Sequence, residues 1–218
     1  MHDREIHKVI RALKNAVQKF SAPAVTQVSN KTHDPFKVLI SCLLSLRTKD
    51  KTTLDASKKL FALASTPEKM KDLPLKTIEK TIYPVGFYRV KAKNIKSICK
   101  ELAERYNSKV PDSIDELLKL KGVGRKTANL VVTFGYGKQG ICVDTHVHRI
   151  TNRWGYVKTK TPHETEFALR DKLPKRYWII INDLLVSFGQ NICKPISPLC
   201  SLCKLSCYCK RVNVLKSR

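Results

Sequence analysis

Residues 117–149 read LLKLKGVGRKTANLVVTFGYGKQGICVDTHVHR. The stretch contains a short amphipathic helix, a Gly122-Val123-Gly124 turn, a second helix opening on Arg125-Lys126, and the run Val143-Asp144-Thr145-His146. Two glycines separated by one residue, set between helices, predict a helix-hairpin-helix. Gly122 and Gly124 allow backbone angles that a side chain resists, and they allow close approach to a ligand. The amides that follow are unpaired donors of a new helix and favour an anion. Lys121, Arg125 and Lys126 strengthen that bias. In so basic a chain the expected anion is a phosphodiester. Lys126 is also a candidate nucleophile. A positive helix start and apolar packing both disfavour its charged form, which is how an amine becomes reactive at neutral pH. Asp144 reads as a helix N-cap that could also serve chemistry.

Charge points the same way. Lys and Arg number 42 against 18 Asp and Glu among 218 residues, a formal net charge of +24. Solubility alone is the plainer use of such a charge. Its coincidence with a phosphate-binding turn favours a polyanionic partner. No run of 18 apolar residues occurs, so no membrane span is expected. The opening MHDREIHKVI carries Asp3 and Glu5 and lacks the apolar core of a secretory signal. Eight cysteines without such a signal argue for metal ligands or core thiols rather than a disulfide framework.

Outward from the hairpin, helical periodicity dominates. Residues 3–20 place Ile6, Val9, Ile10, Leu13, Val17 and Phe20 on one stripe, and 21–33 read as a connector. Asp34-Pro35 caps an almost wholly apolar helix that ends at Arg47 and holds Cys42 as a core thiol. Residues 49–63 turn Leu54, Leu60, Phe61 and Leu63 inward, and short helices follow Thr66-Pro67 and Pro74. The Pro84–Tyr88 turn exposes an aromatic. The helix over 89–106 places Val90, Ile95, Ile98, Leu102 and Ala103 inward, Lys91, Lys93, Lys96 and Lys100 outward, and Cys99 in the core. Ser113 and Glu116 form a capping box, as do Thr161 and Glu164. A last long helix spans about 175–190, Trp154 and Trp178 belong to the core, and only a few residues near Ile141 suggest a strand. The prediction is an all-α chain of roughly ten helices.

Near the end, Cys193-x6-Cys200-x2-Cys203-x5-Cys209 offers four thiolates, with Cys207 a spare thiol in the last gap. Four cysteines so spaced can enclose zinc or an iron–sulfur cluster. The single short pair and long outer gaps favour the bulkier cluster over zinc, and disulfides come third. A ligated loop here would order Lys194, Lys204, Lys210 and Arg211 as a phosphate-binding element.

LKGVGRKTAN, VDTHVHR and the cysteine pattern together closely resemble the endonuclease III family of DNA glycosylases, over about residues 28–209. The resemblance implies two helical domains with DNA in the cleft between them. One is a six-helix barrel over 28–138 that carries the hairpin. The other joins 1–27 to 139–218 and holds a 4Fe-4S cluster on Cys193, Cys200, Cys203 and Cys209. It implies Lys126 as the catalytic lysine and Asp144 as the catalytic aspartate. The implied activity is excision of oxidised pyrimidines and strand cleavage 3′ to abasic sites through a lysine Schiff base. The implied partner is damaged duplex DNA, met by a monomer in the cytoplasm at the nucleoid, or in the nucleus of a eukaryote. Adenine-mismatch relatives carry a small hydroxyl residue, and thymine-mismatch relatives a tyrosine, where this chain has Lys126.

Two positions depart from the family pattern. Arg47 stands in the segment Leu43–Asp50 where a glutamine often fills the gap left by a flipped base. A guanidinium can face the orphaned base with its planar fork. Phe87 stands where a leucine wedge is usual, and its ring can stack between bases. Arg47, Phe87, Lys121, Gly122, Gly124, Arg125 and His146 therefore form the expected DNA-contact set. A mismatch glycosylase of altered base preference and a non-catalytic DNA-binding module are the alternatives.

Overall fold

The computed structural model describes residues 3–218; the first two residues of the opening segment lie outside the described part. Among the described residues there is no strand, and the chain forms twelve α-helices with three short 3-10 turns and one π turn. The stretch near Ile141 forms no strand, and its Cys142 O accepts from Asn182 Nδ2 at 3.2 Å. The described chain forms two compact units, one over Ala24–Gly140 and one joining the segment that ends at Pro23 to Ile141–Arg218.

The Ala24–Gly140 unit is built round α3 (Pro35–Ser45). Asp34 caps it by accepting from the amides of Phe36 and Lys37, with Pro35 at the first helical position. Phe36 and every residue from Val38 to Leu44 are buried, so the helix presents no polar face to solvent. Packed against it are α2 (Ala24–Thr32), α4 (Asp50–Leu63), α7 (Tyr88–Arg105) and α9 (Arg125–Leu130). The expected connector over 21–33 is therefore largely helix. Its Val25 and Val28 are spaced to bury one face against α3, which sparse charge and β-branching had masked. Helices α5 (Pro67–Asp72), α6 (Leu75–Ile82) and α8 (Ile114–Lys119) complete the unit.

Two inward assignments are reversed. Leu63, in the last turn of α4, is 52% exposed. On α7, Val90 is 56% exposed while Lys91 is buried. Lys91 shares the 4-3-4 register of Ile95, Ile98 and Leu102, and Val90 lies off it. Cys42 and Cys99 are core thiols, as expected.

In the other unit α1 (Ile6–Val17) packs its Ile6, Val9, Ile10 and Leu13 into a core shared with α10 (Thr145–Arg153), α11 (Pro162–Lys172) and α12 (Ile181–Asn191). A helix of that length is marginal alone. Burying four aliphatic side chains at about 2 kcal/mol each accounts for its docking. Trp154 and Trp178 are core residues. The expected long helix over 175–190 is broken. A 3-10 turn at Lys175–Tyr177 precedes α12, and the Trp178 indole N–H donates back to Leu173 O at 2.7 Å. Among the described residues no helix is long and apolar enough to cross a membrane.

Candidate functional site

The hairpin forms where the sequence places it. Ser113 accepts from the Glu116 amide and starts α8. The reciprocal half of the expected capping box is not made; the Glu116 carboxylate accepts from Tyr106 Oη at 2.9 Å and pairs with Lys119. After α8 the Val123 amide closes the turn on Leu120 O at 3.1 Å. The two glycines then differ. Gly122 has φ +81°, and a Cβ there would stand 2.5 Å from Asn94 Nδ2 on α7. Gly124 caps α9 with ordinary extended angles, φ −99° and ψ 173°, and a Cβ there would meet no protein atom within 4 Å. Only Gly122 is required by the fold itself; Gly124 leaves open space in front of its backbone.

Lys121 is exposed, whereas Arg125 and Lys126 are half-buried in the first turn of α9. Burial pushes the Cys42 thiol on α3 up to about 12, and the positive charge of Lys126 pulls against that shift. The lysine's charge is thus within electrostatic reach of the core helix. Beyond Leu130 the helix widens into a π turn over Val131–Gly135. Thr133 Oγ1 donates to Asn129 O at 2.7 Å there. Gly140 passes close by, where a Cβ would be 3.0 Å from the Thr133 methyl.

In the other unit Asp144 is 8% exposed and caps α10. Its Oδ1 accepts from the His146 amide at 2.8 Å and the Val147 amide at 3.0 Å. The cap fixes the carboxylate at the positive end of the helix. His146 is engaged within this unit: Arg149 Nη2 lies 3.1 Å from its Nδ1, and its ring covers Gly189, where a Cβ would collide with it. His148 turns instead to Thr165 Oγ1 at 2.7 Å.

Arg47 and Phe87, forty residues apart in sequence, come together. The guanidinium lies over the Phe87 ring, 5.6 Å from its centroid. Both residues are exposed and both hold left-handed backbone, with φ 52° and 57°. Phe87 is 62% exposed and so is no core residue; Tyr83 and Val90 beside it are 63% and 56% exposed.

The four cysteines of the C-terminal pattern line one small cavity, with Trp154, Phe188, Ile192 and Leu199 as apolar wall. Cys207 is exposed and outside that lining. Burial pushes the Cys203 thiol up to about 11, and the charges of Cys193, Cys209 and Cys200 push the same way. Cys209 is raised by burial and by Cys193 and Cys200, against the Arg211 amide. The four sulfurs therefore act on one another. Sequence reasoning missed Arg153. This 8% exposed side chain on α10 donates to Cys193 Sγ at 3.4 Å, Lys194 O at 2.7 Å and Pro195 O at 2.6 Å. Arg149 adds a bond to Cys193 O at 2.8 Å. Neither arginine is near the cysteines in sequence, so no local signal marked them. Among the described residues no group of three or more His, Cys, Asp or Glu is arranged to hold a single metal ion.

Comparison with known proteins gives this architecture a family. Residues 40–175 match the HhH-GPD superfamily base excision DNA repair protein family. Endonuclease III of Thermotoga maritima is 50% identical over 182 residues, covering 84% of this chain and 85% of its own. The chain spans about half the length of the Arabidopsis thaliana chloroplastic endonuclease III homologues it matches, one of them 45% identical with 49% of its length covered. Among solved structures, a non-covalent endonuclease III–DNA complex superposes with a TM-score of 0.86 at 34% identity, covering 97% of this chain and 96% of that one. A trapped endonuclease III–DNA covalent intermediate superposes with a TM-score of 0.84 at 33% identity, covering 97% of each chain. With the hairpin, the capped Asp144 and the cysteine-lined cavity in place, the chain belongs to the endonuclease III family of HhH-GPD base excision DNA repair proteins.

Proposed function

We propose that Lys126 is the nucleophile, and Asp144 the catalytic aspartate, in a bifunctional DNA glycosylase and abasic-site lyase of base excision repair. The observation that carries this reading is Lys126 itself. It is a half-buried lysine in the first turn after Gly124, where the backbone lies open to a ligand. The damaged nucleotide is flipped out of the duplex. The neutral amine attacks the deoxyribose C1′, the C1′–base bond breaks, and the base leaves with its electron pair and takes up a proton. The C1′–O4′ bond then opens as the lysine nitrogen's lone pair forms the C=N bond and O4′ takes up a proton, and the resulting Schiff base makes the C2′ proton acidic. Its removal expels the 3′ phosphate by β-elimination, and water then releases the lysine. Asp144 stabilises positive charge that develops on the sugar and accepts the lysine proton.

Lys121, Arg125, His146 and the amides after Gly124 are assigned to the DNA backbone. Arg47 and Phe87 are assigned to the strand opposite the lesion, as gap filler and wedge. Their departure from the usual glutamine and leucine favours the mismatch reading only for base preference. The lysine at position 126 argues for lyase chemistry.

Cys193, Cys200, Cys203 and Cys209 would hold a 4Fe-4S cluster. The fit rests on the four sulfurs sharing one apolar-walled cavity, with Arg153 donating to Cys193 and the Arg211 amide donating to Cys209. Hydrogen bonds of that kind favour the thiolate form that a cluster needs. Bound there, the cluster would supply cross-linking of the 193–209 loop, which orders its basic side chains. The raised Cys203 and Cys209 thiols mean that loading releases protons.

The reading is tested on a duplex with one thymine glycol, with base release and strand nicking measured separately. The wild type releases the base and nicks 3′ to the site. Lys126→Gln loses nicking by about a thousandfold or more. Equal nicking by the variant overturns the assignment.

A further inference from the structure

Lys91 is the molecule's most unexpected buried cation. It is 7% exposed on the inner face of α7. Its ammonium donates to Leu44 O at 2.9 Å, to Leu46 O, and to Thr48 Oγ1 at 3.2 Å. The first two acceptors are carbonyls at the C-terminal end of α3, where a helix presents unpaired oxygens and negative partial charge. Thr48 Oγ1 donates to Leu46 O and accepts from the Gly86 amide, both at 3.2 Å. Gly86 in turn lies so close to the Arg47 carbonyl that a Cβ would stand 2.6 Å from that oxygen. One turn before Lys91 on the same helix, Phe87 O accepts the Lys91 amide at 3.0 Å. A single residue thus ties the 46–48 turn, the Gly86 turn and the start of α7 into one block.

That block carries two costs. Arg47 and Phe87 both hold left-handed backbone, which a residue other than glycine adopts only at a cost. Burial also pulls the Lys91 ammonium down to about 8, so its charged form is kept against desolvation. Packing alone needs no charge there, since a methionine fills a similar space at lower cost. The ammonium instead supplies three donors to acceptors that no apolar side chain could satisfy.

We propose that Lys91 is a positioning residue for recognition of the strand opposite the lesion, holding Arg47 and Phe87 as one rigid, solvent-facing pair. The proposal rests on the assignment of that pair as gap filler and wedge. Lys91 touches neither base nor sugar; it acts through Arg47. Without its ammonium the 46–48 turn relaxes toward ordinary backbone, and the guanidinium leaves the Phe87 ring.

The test is a double-mutant cycle on cluster-loaded protein with thymine glycol placed opposite adenine or guanine. Arg47→Ala raises KM by about tenfold and flattens the ratio between the two opposite bases. Lys91→Met does the same in direction, raising KM by about fivefold with kcat moving less. The double variant matches Arg47→Ala within about twofold, because a residue that acts through another adds nothing once that other is gone. Thr48→Val keeps the ammonium and removes one acceptor; it gives the same direction at smaller size and carries the test if Lys91→Met folds poorly. Multiplicative effects of Lys91→Met and Arg47→Ala overturn the positioning role. So does a loss confined to kcat with the opposite-base ratio intact. If Arg47→Ala and Phe87→Ala are both silent, the strand-reading assignment itself falls and the Lys91 proposal with it.

Discussion

The hairpin and the Arg47–Phe87 block hold their exposed side chains by opposite means. In the hairpin, the turn that carries Lys126 is set by residues no more than thirteen positions before it: the Ser113 cap, the left-handed Gly122 and the Gly124 helix start. In the block, Arg47 and Phe87 come from turns forty residues apart and are joined through the buried Lys91 ammonium and Thr48. Damage to a local device stays local, whereas damage to a shared anchor moves every group that hangs from it. On the proposed reading the comparison also separates roles: the local device is assigned the bond-breaking chemistry, and the assembled one the surroundings of the lesion.

Asp144 offers the largest effect on the local side. Asparagine caps a helix as well as aspartate does, so Asp144→Asn removes the charge and keeps the cap. Base excision falls by about a hundredfold, and the unfolding midpoint stays near wild type. Asp144→Ala loses about 1 kcal/mol of stability besides. Excision by Asp144→Asn at the wild-type rate would reduce Asp144 to a cap.

The two hairpin glycines come next. Gly122→Ala, strained at φ +81° and in conflict with Asn94, costs about 1–3 kcal/mol of stability. Gly124→Ala leaves stability within about 0.5 kcal/mol but weakens duplex binding by about tenfold, because its methyl fills the space kept for phosphate. Denaturant titration and DNA binding on both variants decide this; a stability loss at Gly124 as large as that at Gly122 would remove the distinction.

Salt sharpens the comparison further. Phosphate contacts from the hairpin make log Kd for duplex DNA rise steeply with log salt. Arg47→Ala leaves that slope unchanged, since its proposed partner is a base. A slope reduced by about one charge would make Arg47 a phosphate contact instead.

The smallest effect belongs to Lys91 and pH. Its folded value of about 8 lies below the ordinary 10.5, so the folded protein binds fewer protons than the unfolded one between those limits. Stability therefore rises with pH across that window. Lys91→Met loses the increment, and urea midpoints at pH 8 and pH 10 should converge between wild type and variant differently from those at pH 6 and pH 8. Parallel changes in both proteins would show that the buried lysine does not titrate in the window.

Legibility in the sequence followed the same divide. The hairpin, the Asp144 cap and the four-cysteine cavity could be read because each is a contiguous run with its own spacing. The block could be read only in part. Arg47 and Phe87 were visible as departures from a family pattern, but their approach to each other depends on tertiary packing. Lys91 was assigned outward because it is charged, although its register with Ile95, Ile98 and Leu102 already placed it inward. Arg153 carried no local signal, since its cysteine partner lies forty residues on. Helix α2 was missed because its buried face is short and its composition polar.

The central claim is that Lys126 forms a covalent bond to the sugar. It is tested most directly by mixing cluster-loaded protein with a duplex carrying one abasic site, adding borohydride, and looking for a covalent protein–DNA band. The account predicts a band from the wild type and none from Lys126→Gln. A folded, DNA-binding wild type that gives no band, or a Lys126→Gln variant that gives one of equal strength, would contradict it.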